Sequence, residues 1–331
     1  MKACVIGGGS WGSAFALYLG RLKVRTKLWV RETDILETLQ ETRENKTFLP
    51  GHVFPAPVSF YHDLPEAVVS TDVLFVAVPS QFCRGLYAEI APYLAADRIV
   101  VSLTKGLEQK SLMRMSQVME EVFYPYRKPR LAVLSGPSFA KEVAKGNPTA
   151  VVVASKDSEC ARKVQHLISS MTLRAYSSSD VTGVELGGAL KNVIAIAAGI
   201  SDALECGLNT KAALMTRGLV EINRLGTHLG ARRETFSGLA GMGDLILTCT
   251  GEQSRNHYVG SELGKGRSLR AILSRMKMVA EGVRTTLSAH HLARRENVEM
   301  PISEEVYQVL YKNKSPRKAI EDLMSRALKI E

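Results

Sequence analysis

The chain has 331 residues, enough for a large core and about two domains, and its 45% hydrophobic and 23% charged residues are ordinary globular values. A net charge of +10 suits an anionic ligand, a nucleic acid or a membrane surface, but no segment interleaves basic with aromatic residues, which argues against nucleic acid. Five cysteines, odd in number and without C-x-x-C spacing, argue against a disulfide framework or a bound metal and for a reducing compartment.

The N-terminus "MKACVIGGGS" enters a strand-like run at once, without the features of a secretory signal. No uninterrupted apolar run reaches the roughly 18 to 20 residues that span a bilayer. The expectation is a cytoplasmic protein with no integral membrane segment.

In chain order, "KACVIG" precedes a helical pattern over residues 10 to about 22, and "TKLWV" follows. "VFPAPVSFYHDLP" reads as a proline-rich loop. Further strand-like runs lie at 72–78, 98–103, 130–135 and 150–155. They are continuously apolar, as in a sheet covered on both faces, and helical stretches between them predict parallel βαβ units. From about Asp180 only helical spacing remains. The predicted architecture is α/β: a doubly wound sheet domain over 1–178, then an all-helical domain over 179–331.

"VIGGGSWG" sets Gly7, Gly9 and Gly12 in G-x-G-x-x-G between a strand and a helix. Gly7 would make the tight turn, Gly9 would admit a pyrophosphate, and Gly12 would let helix and strand pack closely. The helix N-terminus offers free N–H groups to the phosphates. At the end of the second strand stand Arg31 and Glu32, where an acidic residue usually meets the ribose of NAD or an arginine the 2′-phosphate of NADP. Arg31 would stack on adenine and pair with a 2′-phosphate while Glu32 turns away; otherwise both are solvated loop charges. Acceptance of NADP(H) is predicted, with preference for NADPH left open.

Three loops follow later strands of this domain: "VAVPSQ", "SLTKGLE" and "LSGPSFAKE". Lys105 sits at a strand end, and "GPSFA" exposes backbone N–H groups and the Ser138 hydroxyl. In the helical domain, "LKNVIAIAAG" places Lys191 on a face of little bulk made by Gly187, Gly188, Ile194 and Ala195. Either this lysine snorkels to solvent from a buried helix, or the small face lets another molecule approach the amine. "GLAGMGDLILTCTGEQSRN" leads through glycines to Asp244 and Thr248, then to Ser254 as an N-cap with Arg255 and Asn256 in the first helical turn. A helix start carrying an arginine suits a phosphate.

Together "GGGSWG", "SLTKGLE", "GPSFAKE", "LGGALKNVIAIAAG", "GLAGMGDLILTCTGEQSRN" and "MVAEGVRT" resemble bacterial NAD(P)-dependent glycerol-3-phosphate dehydrogenase, from about residue 2 to about residue 320. The resemblance implies a Rossmann domain joined to a helical substrate domain, and interconversion of dihydroxyacetone phosphate and sn-glycerol 3-phosphate for phospholipid synthesis. It implies Lys191 as general acid/base, with Lys105, Asp244 and Thr248 assisting catalysis. It places Lys105, Gly136, Ser138, Lys191, Asn192, Asp244, Ser254, Arg255 and Asn256 on the substrate. It places Ser10, Trp11, Arg31, Lys105, Ala140, Arg255, Val279 and Glu281 on NAD(P)H, beside the three glycines. No metal is implied, and a homodimer is the family expectation. The rivals are a dehydrogenase for a hydroxy acid such as 6-phosphogluconate, a nucleotide-binding sensor without turnover, and, weakest, a nucleic-acid protein.

Overall fold

A computed structural model describes residues 1–276, 278–328 and 330. The chain divides into two compact units: Met1–Lys105 with Met113–Glu185, and Gly106–Leu112 with Leu186–Glu331.

The first unit is built on one eight-stranded sheet: β1 (Lys2–Ile6), β2 (Arg25–Trp29), β3 (Val58–Tyr61), β4 (Val73–Val76), β5 (Ile99–Ser102), β6 (Arg130–Ser135), β7 (Thr149–Ala154) and β8 (Leu173–Ser178). Their order is β3-β2-β1-β4-β5-β6-β7-β8. The first six follow the doubly wound order of dinucleotide-binding domains. Every residue of β4 and β5 is buried, which is why these strands read as unbroken apolar runs.

The sheet departs from the sequence reading in three places. First, β7 runs antiparallel to β6. The helix in their connection, Ala140–Lys145, has six residues, about 9 Å of rise, too short to carry the chain back along a strand of about 20 Å. Second, the expected proline-rich loop contains β3 and the short helix Leu64–Val68, which Asp63 caps by accepting from the Glu66 N–H at 2.7 Å. β3 is an edge strand, where flanking prolines are tolerated. The Arg43 guanidinium organises the approach by donating to the carbonyls of Phe54, Pro55 and Val58 at 2.7–2.9 Å. Third, β8 closes the other edge with the polar sequence "LRAYSS".

Of the helices, α1 (Ser10–Arg21) starts at the glycine turn after β1. α2 (Met115–Phe123) follows the segment Gly106–Leu112. α3 (Val181–Ala203) begins three residues after β8, and the chain passes from the first compact unit to the second within it, after Glu185. Glu185 is held among first-unit groups: its carboxylate accepts from the backbone N–H of Ser116 at 2.7 Å and from Arg114 Nη1 at 2.6 Å.

All regular structure described in the second unit is helical. Besides most of α3 it contains α4 (Gly207–His228), α5 (Asp244–Thr250), α6 (Arg255–Gly264), α7 (Glu281–Arg295) and α8 (Pro301–Tyr311). By length and composition α3 passes the test for a membrane span, but 89% of that window is buried inside the fold, as in a core helix. Its small residues let neighbours come into backbone contact. A side chain at Gly260 of α6 would strike the carbonyl of Ile196, and one at Gly187 the carbonyl of Ala240.

Candidate active site

The glycine turn has the geometry its pattern requires. Gly7 has φ +124°, and a Cβ there would lie 2.6 Å from the carbonyl oxygen of Ala77. A Cβ on Gly12 would run into the Gly7 carbonyl, so α1 packs against the turn only with hydrogen there. Gly9 has nothing within 4 Å of where its Cβ would stand, leaving its backbone approachable. Ser10 opens α1, whose N-cap has no side-chain hydrogen bond. Trp11 Nε1 is buried with no hydrogen-bond partner among the described residues. An open glycine, a helix start capped by a glycine and an unmatched indole donor fit a dinucleotide phosphate.

Arg31 and Glu32 stand just past β2. Glu32 does not turn away as the sequence reading expected: its Oε1 accepts from Arg31 Nη2 at 2.7 Å and from Nε at 3.1 Å. The Arg31 guanidinium carbon lies 5.7 Å from the centre of the Phe82 ring, and Phe82 is a residue the sequence reading missed. Its only signal was an aromatic after the "VPSQ" turn.

Two later loops of the same unit meet. Lys105 Nζ and Ser138 Oγ both donate to the carbonyl of Gly136 at 2.9 Å. Ala140 begins the short helix just after this turn. Thr104, also missed, ties the Lys105 loop to the one after β4 by donating to the Val78 carbonyl at 2.7 Å.

In the second unit, Lys191 is 6% exposed, which excludes snorkelling to solvent. Its ammonium donates to Asp244 Oδ1 and, at 2.7 Å, to Thr248 Oγ1; Thr248 in turn donates to the Asp244 carbonyl at 2.6 Å. Asp244 is fully buried. The small face of α3 has another use than expected. At Gly187 it receives the backbone of Ala240 and Gly241, which brings the glycine-rich segment, and so Asp244, up to the lysine.

One residue further on, Asn192 connects this centre to α6. Asn256 Nδ2 donates to Asn192 Oδ1 at 2.8 Å, and Asn256 Oδ1 accepts from the Gly282 N–H at 2.9 Å. A Cβ on Gly282 would lie 2.7 Å from both Asn192 O and Asn256 Oδ1, so this glycine, which the sequence reading passed over, is needed for the asparagines to meet. Ser254 caps α6 as predicted, accepting from the His257 N–H at 3.2 Å. Arg255 follows the cap and donates to the carbonyl of Val279 at 3.0 Å. The surrounding protein lowers the Arg255 pKa and Glu281, first residue of α7, opposes this. The side chain is exposed and stays charged. Lys191, Asn192, Asp244, Thr248, Ser254, Arg255, Asn256, Val279 and Glu281 therefore belong to the second unit, and Gly7, Gly9, Ser10, Trp11, Gly12, Arg31, Lys105, Gly136, Ser138 and Ala140 to the first. Among the described residues no group of three or more His, Cys, Asp or Glu is placed to hold a metal.

A doubly wound sheet with this glycine turn places the first unit in the Rossmann class of dinucleotide-binding proteins. Residues 2–161 match the NAD-dependent glycerol-3-phosphate dehydrogenase N-terminus and residues 180–321 the C-terminus of the same family. The chain is 51% identical over 331 residues to glycerol-3-phosphate dehydrogenase [NAD(P)+] of Syntrophotalea carbinolica, covering 100% of this chain and 99% of the relative. It is 52% identical over 327 residues to the protein of that name from Geobacter sulfurreducens, covering 99% and 98%. The crystal structure of glycerol-3-phosphate dehydrogenase from Coxiella burnetii is similar at TM-score 0.94 and 36% identity, covering 98% of this chain and 99% of that one. The chain belongs to the NAD-dependent glycerol-3-phosphate dehydrogenase family and is an NAD(P)-dependent oxidoreductase.

Proposed function

We propose that this chain reduces dihydroxyacetone phosphate to sn-glycerol 3-phosphate, reversibly, with Lys191 as the proton donor. The observation that carries this reading is the buried ammonium of Lys191 held by Asp244 and Thr248, one residue from the Asn192–Asn256 bond.

NAD(P)H, when bound, supplies the hydrogen and two electrons that reduce the carbonyl carbon. The residues that would hold it are Gly7, Gly9, Ser10, Trp11, Gly12 and Arg31, with Lys105, Ala140, Arg255, Val279 and Glu281. As the ketone is reduced, negative charge grows on its oxygen. A positioned ammonium stabilises that charge before giving up a proton, an effect worth about a hundred- to ten-thousand-fold. Asp244 orients the amine and keeps its charge balanced, and Thr248 fixes its direction. In the oxidation direction neutral Lys191 takes the hydroxyl proton. Arg255, with the N–H groups at the start of α6, would bind the phosphate and so place the carbonyl; Asn192 and Asn256, already tied together, line the same substrate. Lys105, Gly136 and Ser138 would complete the substrate's surroundings.

A role in supplying glycerol phosphate for phospholipid synthesis, a cytoplasmic location and a homodimer belong to the same proposal and rest on family resemblance. The test is loss of reduced-nicotinamide absorbance with dihydroxyacetone phosphate, run with NADH and with NADPH. Turnover with 6-phosphogluconate and NAD(P)+ but none with the triose ester would overturn the substrate assignment. Dinucleotide binding without any turnover would leave a sensor.

A further inference from the structure

We infer that Glu32 sets the balance between the two nicotinamide dinucleotides by competing with the 2′-phosphate for the guanidinium of Arg31. The inference rests on the dinucleotide reading of the glycine turn, and it concerns a residue to which that reading gives no part.

The placement begins with the sheet. β2 pairs with β1 so that Trp29 is opposite Ile6, and the Gly7 N–H donates to the Trp29 carbonyl at 3.1 Å. The end of β2 is thereby level with the glycine turn. Val30 stays buried; a Cβ on Gly8 would lie 2.8 Å from its Cγ1. Arg31 and Glu32 are therefore the first residues to leave the sheet beside the turn. In such domains this is where an acidic side chain meets the ribose 2′-hydroxyl, or an arginine the 2′-phosphate. This chain carries both, adjacent.

The two side chains are engaged with each other. The Nε and Nη2 edge of Arg31 is the edge a guanidinium offers to a carboxylate or phosphate in a two-point contact, and here Glu32 Oε1 occupies it. The Phe82 ring supports the guanidinium from the loop after β4 and keeps it at this position. Side-chain exposures of 64% for Arg31 and 37% for Glu32 make the pair weak and exchangeable. A dinucleotide with a 2′-hydroxyl leaves the pair intact and finds a carboxylate acceptor beside it. A 2′-phosphate must displace that carboxylate from the fork and then tolerate a like charge next to it. Glu32 thus disfavours NADPH twice, and Arg31 restores its binding. Phe82 is the positioning residue.

The test uses the full-length protein without substrate and reads Kd by calorimetry for NADPH and NADH. Glu32→Gln keeps the shape and removes the charge. It should tighten NADPH and leave NADH the same or weaker, moving the ratio of the two Kd values about tenfold towards NADPH. In an Arg31→Ala background the same Glu32→Gln change should have a smaller effect on NADPH, because only the like-charge repulsion is then left to relieve. An unchanged ratio in the single variant, or an undiminished effect when Arg31→Ala is also present, would overturn the competition while leaving dinucleotide binding intact. Failure of the wild-type protein to bind either dinucleotide would remove the underlying reading and this inference with it.

Discussion

The sheet unit and the helical unit arrange their polar groups in opposite ways. At the start of α1 the working groups are backbone N–H donors, made approachable by residues that have no side chain: Gly7, Gly9 and Gly12. Around α3 the working groups are side chains, and the backbone's part is to crowd together at Gly187 and Gly260 so that Lys191, Asp244 and Asn256 find their partners. The first arrangement is local, inside six residues; the second joins positions 53 and 64 residues apart. A site made of backbone is damaged by adding atoms, and a network of buried side chains by removing them.

The largest effect expected from that contrast is at Lys191. Lys191→Met should lower kcat at least about a hundredfold while the Kd for NADPH, measured without substrate, stays within about twofold. Near-normal turnover would remove the lysine from its role. Next comes an ion pair at the root of α3. Glu185, with side-chain exposure of 6%, accepts from Arg114, at 15%, and ties down the start of α2 through Ser116. Glu185→Ala should destabilise the fold by about 3 kcal/mol in chemical denaturation, because it leaves a largely buried guanidinium unmatched.

Adding a single carbon tests the other half. Gly12→Ala drives a methyl group into the Gly7 carbonyl, and should weaken dinucleotide binding by about tenfold or more. Arg255→Ala should raise KM for the triose phosphate about tenfold with a smaller change in kcat, and an unchanged KM would place the phosphate elsewhere.

The smallest effect concerns a group outside the proposed chemistry. Glu221 on α4 is buried and caps α8, accepting from the N–H groups of Ile302 at 2.6 Å and Ser303 at 3.1 Å. Burial dominates over these bonds and pushes its pKa from 4.5 up to about 7. The folded state therefore holds a proton that the unfolded state has released. The stability this contributes is complete below 4.5 and is lost as the pH rises through about 7. Glu221→Gln should gain about 1 kcal/mol relative to wild type between about pH 6 and about pH 8, read by denaturation at both values. Parallel curves would show that the carboxyl is ionised throughout.

The same contrast explains what could be read in advance. The strands β1, β4, β5 and β6 and the glycine turn announce themselves because their patterns are local: apolar residues in an unbroken run, glycines at fixed offsets. β3 and β8 are edge strands with polar or proline-flanked sequences, and pairing with β2 and β7 rather than composition makes them strands. Asp244, Thr248, Arg255 and Asn256 were visible as candidate residues. Their partners were not, and neither were Phe82 and Gly282, since a lone aromatic or glycine carries no signal of what it faces.

What the amino-acid order determined by itself was the doubly wound first unit, the helical second unit and the identity of the groups available for chemistry, because periodicity and glycine spacing act over a few residues. Only the tertiary structure decided that Lys191 is buried and paired, that Glu32 takes hold of Arg31, and that β7 runs against β6. Each of these depends on which surfaces come within hydrogen-bonding distance, and that is settled by packing between segments far apart in the chain.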